Sequence, residues 1–192
     1  MTFVVDGTNG LTFNDATTQS STATNASNIS SGTLGKARLP TGSVLQVVSA
    51  TKTDSFTSTT ATTYADITGM SVTITPTSSS SKIYAIVTGT CSGQSATTGS
   101  QIRLVRGSTA ICIADSFGAT TPASTNSYQL DVNQSNPFSI SFLDSPATTS
   151  STTYKIQFII TGGTFYFNRT QNDSNASNGR YASTITVMEI AA

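Results

Sequence analysis

Five carboxylates, Asp115, Asp131, Asp144, Asp173 and Glu189, are the residues of this chain best suited to chemistry, because two carboxyl groups at the right separation suffice for glycoside hydrolysis. No sequence spacing forces any two of them together. Asp144 precedes Ser145-Pro146 and reads as a turn residue accepting backbone hydrogen bonds, Asp131 lies within a strand pattern, and Asp66 reads as a strand-edge or turn residue. The chain contains no histidine, which excludes a Ser-His-Asp triad, histidine-based zinc sites and the commonest general base. Phosphate-loop and dinucleotide fingerprints are absent. Cys91 and Cys112 have no histidine to activate them and read as small buried apolar residues, with a disulfide open if their strands adjoin. No catalytic residue is therefore assigned.

Two binding chemistries remain. Asn172, Asp173 and Asn175 could offer oxygen ligands to calcium, against the plainer reading of an Asn-rich turn, and no other cofactor is expected. Asn168, Arg169, Asn172 and Tyr181 combine amides, a guanidinium and an aromatic ring in one loop, the group types that hold a sugar in a shallow lectin site.

The elements that must position these groups are β-strands. YKIQFII alternates Tyr154, Ile156, Phe158 and Ile160 against Lys155, Gln157 and Thr161, as a half-buried antiparallel strand requires. About ten such runs, from VLQVVSA at Val44 to STITVMEI ending at Ile190, are separated by Gly, Pro, Ser and Asn clusters, with no helical period between them. The pattern predicts an all-β antiparallel jelly-roll sandwich over 44–192, with surface loops at 92–100, 118–127 and 168–180. Residues 1–43 differ. TFVVDGTNGLTF predicts a short hairpin, and beyond it Ile29, Leu34 and Leu39 are too sparse to close a core, so this segment reads as an extended arm or a flexible linker.

Nine basic and nine acidic residues cancel, and the charged fraction is 9% where about 25% is usual. No nucleic-acid partner is expected, since only Lys36 with Arg38 and Arg103 with Arg106 form close basic pairs. Ser and Thr supply roughly a third of the residues, yet recurring Val, Ile, Phe and Tyr argue for a folded protein. No apolar run reaches the ~18 residues of a membrane span, and MTFVVDGTNG lacks the marks of a secretory leader, so neither a membrane partner nor the secretory route is expected.

Several strands carry apolar residues on both faces. Leu45 and Val47 oppose Val44 and Val48; Tyr84 and Ile86 oppose Ile83, Ala85 and Val87; Met188 and Ile190 oppose Ile185 and Val187. Ile159 and Tyr166 break the polar faces of their own strands. A sandwich buries one face of each sheet, so these eight residues, Leu45, Val47, Tyr84, Ile86, Ile159, Tyr166, Met188 and Ile190, predict a second copy packed against them.

GLTFNDATTQ and NISSGTLGKARLP resemble the shaft segments of bacteriophage fibre proteins. SFLDSPATTSSTTYKIQF and the closing strand STITVMEIAA resemble the trimeric C1q/TNF-like jelly-roll heads found as knobs on such fibres. The resemblance implies a homotrimeric virion protein whose residues 1–43 anchor to another virion protein and whose head projects outward; related heads sometimes hold calcium. The shaft is very short and no adaptor domain precedes it, which favours a short fibre or a decoration protein on capsid, neck or tail. A knob that binds a host surface glycan, and a bacterial surface lectin-like module, are the alternatives.

Overall fold

The computed structural model describes residues 4–6, 10–12, 18–19, 35–59, 61–93, 99–128, 133–160, 162–174, 176 and 178–192. The chain divides into two compact units, Met1–Leu39 and Pro40–Ala192. In the first, β1 (Val4–Asp6) and β2 (Gly10–Thr12) form the expected hairpin with Val5 opposite Leu11, and β3 (Thr18–Gln19) adds a third antiparallel strand in a stretch read as extended arm. Lys36–Arg38 make one 3₁₀ turn. Ile29 and Leu34 lie outside the described residues.

The second unit is the β-sandwich predicted from the strand pattern. Its strands are β4 (Val44–Lys52), β5 (Phe56–Ser58), β6 (Ala65–Ile74), β7 (Lys82–Gly93), β8 (Gly99–Arg106), β9 (Thr109–Ile111), β10 (Thr125–Tyr128), β11 (Asn136–Asp144), β12 (Thr152–Ile160), β13 (Phe165–Phe167) and β14 (Ser183–Ile190). One sheet runs β10-β8-β12-β6, with β9 also on β8. The other contains β4-β14-β7, and Cys91 pairs at once with Asn136 of β11 and Phe167 of β13, so these two strands occupy opposite edges of β7. The eight long strands thus form two four-stranded antiparallel sheets, β4-β14-β7-β11 and β6-β12-β8-β10, the interleaved order of a jelly roll. β5 lies in a Thr-rich link where no strand was expected. SYQLDVN, read as one strand, is represented by Thr125–Tyr128, and its residues 129–132 lie outside the described set.

The inward faces build one core. Tyr154, Ile156, Phe158 and Ile160 of β12 are buried as their alternation requires, against Ile83, Ala85 and Val87 of β7 and Ile185 and Val187 of β14. Phe158 stacks on Phe165 with centroids 4.3 Å apart and meets the edge of Phe56 at 5.6 Å. Each such side chain contributes roughly 1.5–3 kcal/mol. Gly89 is required by close approach: a Cβ there would stand 2.7 Å from the Phe138 ring and 3.1 Å from Phe167.

Register and short links put the start of β4, the ends of β8 and β11 and the end of β14 at one end of the sandwich. The entry of the chain is fastened there, since Gly42 N–H donates to Ala191 O at 2.8 Å and Ala191 N–H to Ser43 O at 2.9 Å.

Candidate functional site

The outward face of β4-β14-β7-β11 is the first candidate. Antiparallel register aligns Val47, Met188, Tyr84 and Leu143 in a row across all four strands. Val47 is 55% exposed and Leu143 54%, while Tyr84 and Met188 between them are half-buried. Ile190 and the 50%-exposed Val44 extend the row toward the chain entry, and Ile86 adds to it on the other side. From the level of Ile86 onward the face changes to hydroxyls, paired across strands as Ser49 with Thr186 at 2.8 Å, level with Ile86, and Thr88 with Thr184 at 2.9 Å beyond it.

The eight residues expected to form one interface do not share one surface. Val47, Tyr84, Ile86, Met188 and Ile190 do. Leu45 is the extra residue of a bulge, since Gln46 lies opposite Glu189 and Val44 opposite Ile190. Tyr166 is at the far end of the same sheet, pairing with Ser92, and the Arg169 guanidinium lies 4.8 Å from its ring centroid. Ile159 belongs to the other sheet, in register with Gln101. The sequence pattern tells that a strand has two apolar faces, but not which sheet the strand joins. Leu143 was missed, although following Phe142 it breaks alternation as Ile159 does.

The loop between β13 and β14 is the second candidate, and its residues are committed to holding it in shape. Asn168, in the left-handed region at φ 61°, is 1% exposed. Its amide donates to Lys52 O at 2.8 Å and Asp54 O at 3.2 Å, and its carbonyl oxygen accepts from Ser183 Oγ. It cannot reach an external sugar and ties the loop to β4. Arg169 donates to the carbonyls of Thr170 at 3.0 Å and Gln171 at 2.8 Å. Asn172 donates to Asn133 at 3.3 Å, and Tyr181 Oη accepts from Ser135 Oγ at 2.9 Å. Asp173 faces two arginines, Arg180 in a two-oxygen contact and Arg169 at 3.6 Å; the Arg180 hydrogen bond, foremost, holds its carboxyl below the usual value. The carboxylate of the calcium reading thus has two arginine partners. Asn175 lies outside the described residues.

The other carboxylates have structural partners too. Asp144, buried, is a correction: side chains, not backbone, bind it, with Arg106 Nη1 at 2.8 and 2.9 Å and Tyr154 Oη at 2.6 Å. Burial first, and the adjacent carboxylate second, push the Tyr154 phenol far up. Asp66 of β6 accepts from Lys155 at 2.8 Å and Gln157 at 2.7 Å. Glu189 accepts from Thr77 N–H at 2.6 Å, Thr77 Oγ1 at 2.7 Å and Gln46 at 2.6 Å. Burial would raise its pKa, but these donors outweigh it and hold it at about 2. Asp131 lies outside the described residues. Cys91 is buried, its thiol pushed up to about 11 by that burial, and both cysteines are free.

Among the described residues, no three His, Cys, Asp or Glu side chains gather as a metal site, and no helix is long and apolar enough to cross a membrane. No protein-family model and no curated protein matches the chain.

Proposed function

We propose that this chain is a bacteriophage virion structural protein: a short homotrimeric fibre or decoration protein, anchored to the particle through residues 1–43 and presenting its head outward. The observation that carries the proposal is the apolar row Val47, Met188, Tyr84 and Leu143, which crosses a whole sheet and ends in two residues more than half exposed. Left in water such a row is a sticky patch; against copies of itself it becomes an interface core. Strand entry supports the same reading. Gly42 and Ser43 bond to Ala191 beside the apolar end of the sheet, so the chain joins the head next to the row. The fibre-like stretches GLTFNDATTQ and NISSGTLGKARLP and the jelly-roll strand order supply the virion context.

Host-receptor binding by the head is the second reading, favoured by the β13–β14 loop, whose Tyr181 is held by Ser135 Oγ at 2.9 Å. Labelled antibody on intact particles tests the first. Regular occupancy of capsid, neck or tail with unchanged adsorption after deletion supports decoration. Lost adsorption, restored competition by free protein and blocked infection support receptor binding, and absence from the particle defeats both.

A further inference from the structure

At the same end of the sandwich as the chain entry, the β8–β9 turn and the β11–β12 link enclose an open groove of about 370 Å³ between Arg106, Gly107, Ser108 and Thr109 on one side and Pro146, Ser151 and Thr152 on the other. Two features of its lining and one of its surroundings, where Lys82 stands beside the groove, point to a ligand. First, Asp144 and Ser145 O engage only Nη1 of Arg106. Among the described residues nothing takes up Nε or Nη2, the side-on pair of donors that suits a carboxylate, and the side chain is 26% exposed. Second, the hydroxyls of Ser108, Thr109 and Ser151 have no protein partner among the described residues, whereas Thr152 Oγ1 is committed to Ser150 O at 2.9 Å. Third, the local charge is positive. Asp144 offsets Arg106, but Lys82, held on Ser145 Oγ at 2.8 Å, has no carboxylate partner among the described residues.

A fixed guanidinium fork surrounded by free hydroxyls fits a ligand with one carboxylate and several hydroxyls. We infer that this groove binds an acidic sugar unit, a hexuronate or a sialic-acid-like residue, with the sugar carboxylate on Arg106 Nε and Nη2 and its hydroxyls on Ser108, Thr109 and Ser151. A free inorganic anion would use the fork but leave the hydroxyls idle; a neutral sugar would do the reverse. The site lies away from the β13–β14 loop and does not depend on the oligomeric state.

Saturation-transfer NMR on the full chain tests this, with sodium galacturonate and galactose as separate probes and inorganic phosphate added as a competitor of galacturonate. Galacturonate should show transfer, and galactose and phosphate should bind at least about tenfold more weakly. Arg106→Lys keeps a cation for Asp144 but removes the fork, and should weaken galacturonate by about tenfold or more. Because that change touches a buried pair, Ser108→Tyr and Ser151→Tyr serve as second variants that fill the groove and spare the pair; each should abolish transfer with the melting temperature kept. No transfer from galacturonate, equal binding of phosphate or galactose, or unaltered binding in the two tyrosine variants would overturn the assignment.

Discussion

Glu189 shows how a single buried acid can be kept charged inside a sandwich. Its pKa of about 2 lies below the ordinary 4.5, so folding gains stability from it at every pH above 4.5 and loses that gain as pH falls toward 2. With the side chain fully buried, that shift corresponds to a gain on the order of 3 kcal/mol. Glu189→Gln should therefore lower the urea midpoint at pH 7, and the gap from the parent should narrow at pH 3; an equal gap at both would contradict the charged role. Gly89→Ala should cost about 1–3 kcal/mol, because the added methyl meets two rings that are already packed. A melting temperature unchanged by it would mean that Phe138 can swing aside. Single-residue roles of this kind were the least legible in the sequence. Nothing in LDSP says that Asp144 will accept from an arginine and a tyrosine far along the chain, since those partners are set by strand order, not by local turn chemistry.

Elements were read more successfully, because the period of a strand is written locally. YKIQFII buries the residues its alternation selects, and Gly162-Gly163 does separate β12 from β13. What the pattern lacks is the assignment of strands to sheets. Ile159 therefore matches in pattern residues that lie on the opposite sheet, and Leu143 completes a row that its own strand pattern does not reveal. The β13–β14 loop illustrates the same limit. Its Asn-rich composition suggested exposed recognition groups, yet Asn168 is an internal brace whose left-handed backbone an asparagine tolerates and whose amide links β13, β14 and β4. Asn168→Ala should cost about 1–3 kcal/mol by leaving buried groups unpaired, and hydrogen exchange should quicken across residues 168–181. Exchange confined to its former rate would remove the bracing role.

At the scale of the whole molecule, the two sheets differ in what they show to solvent. The outward face of β6-β12-β8-β10 is mainly polar, Ile159 and Val105 apart, and on it Arg103 lies 3.7 Å from the Tyr64 ring centroid and bonds Gln157 at 2.7 and 2.9 Å. Such a face is comfortable in water. The outward face of β4-β14-β7-β11 is apolar at the chain-entry end and hydroxylated at the other, and only the apolar end calls for a cover. A stable protein interface removes roughly 800 Å² from each partner, so the proposed subunit contact would have the row at its centre and include the neighbouring hydroxyls. Val47→Glu with Met188→Glu should then separate the subunits while leaving each head folded, because both side chains point away from the core. Light scattering on the full-length chain at micromolar concentration tests this account most directly: it predicts a mass of three times 19.8 kDa that falls to 19.8 kDa in the double variant, and a parent chain that is already a monomer would contradict it.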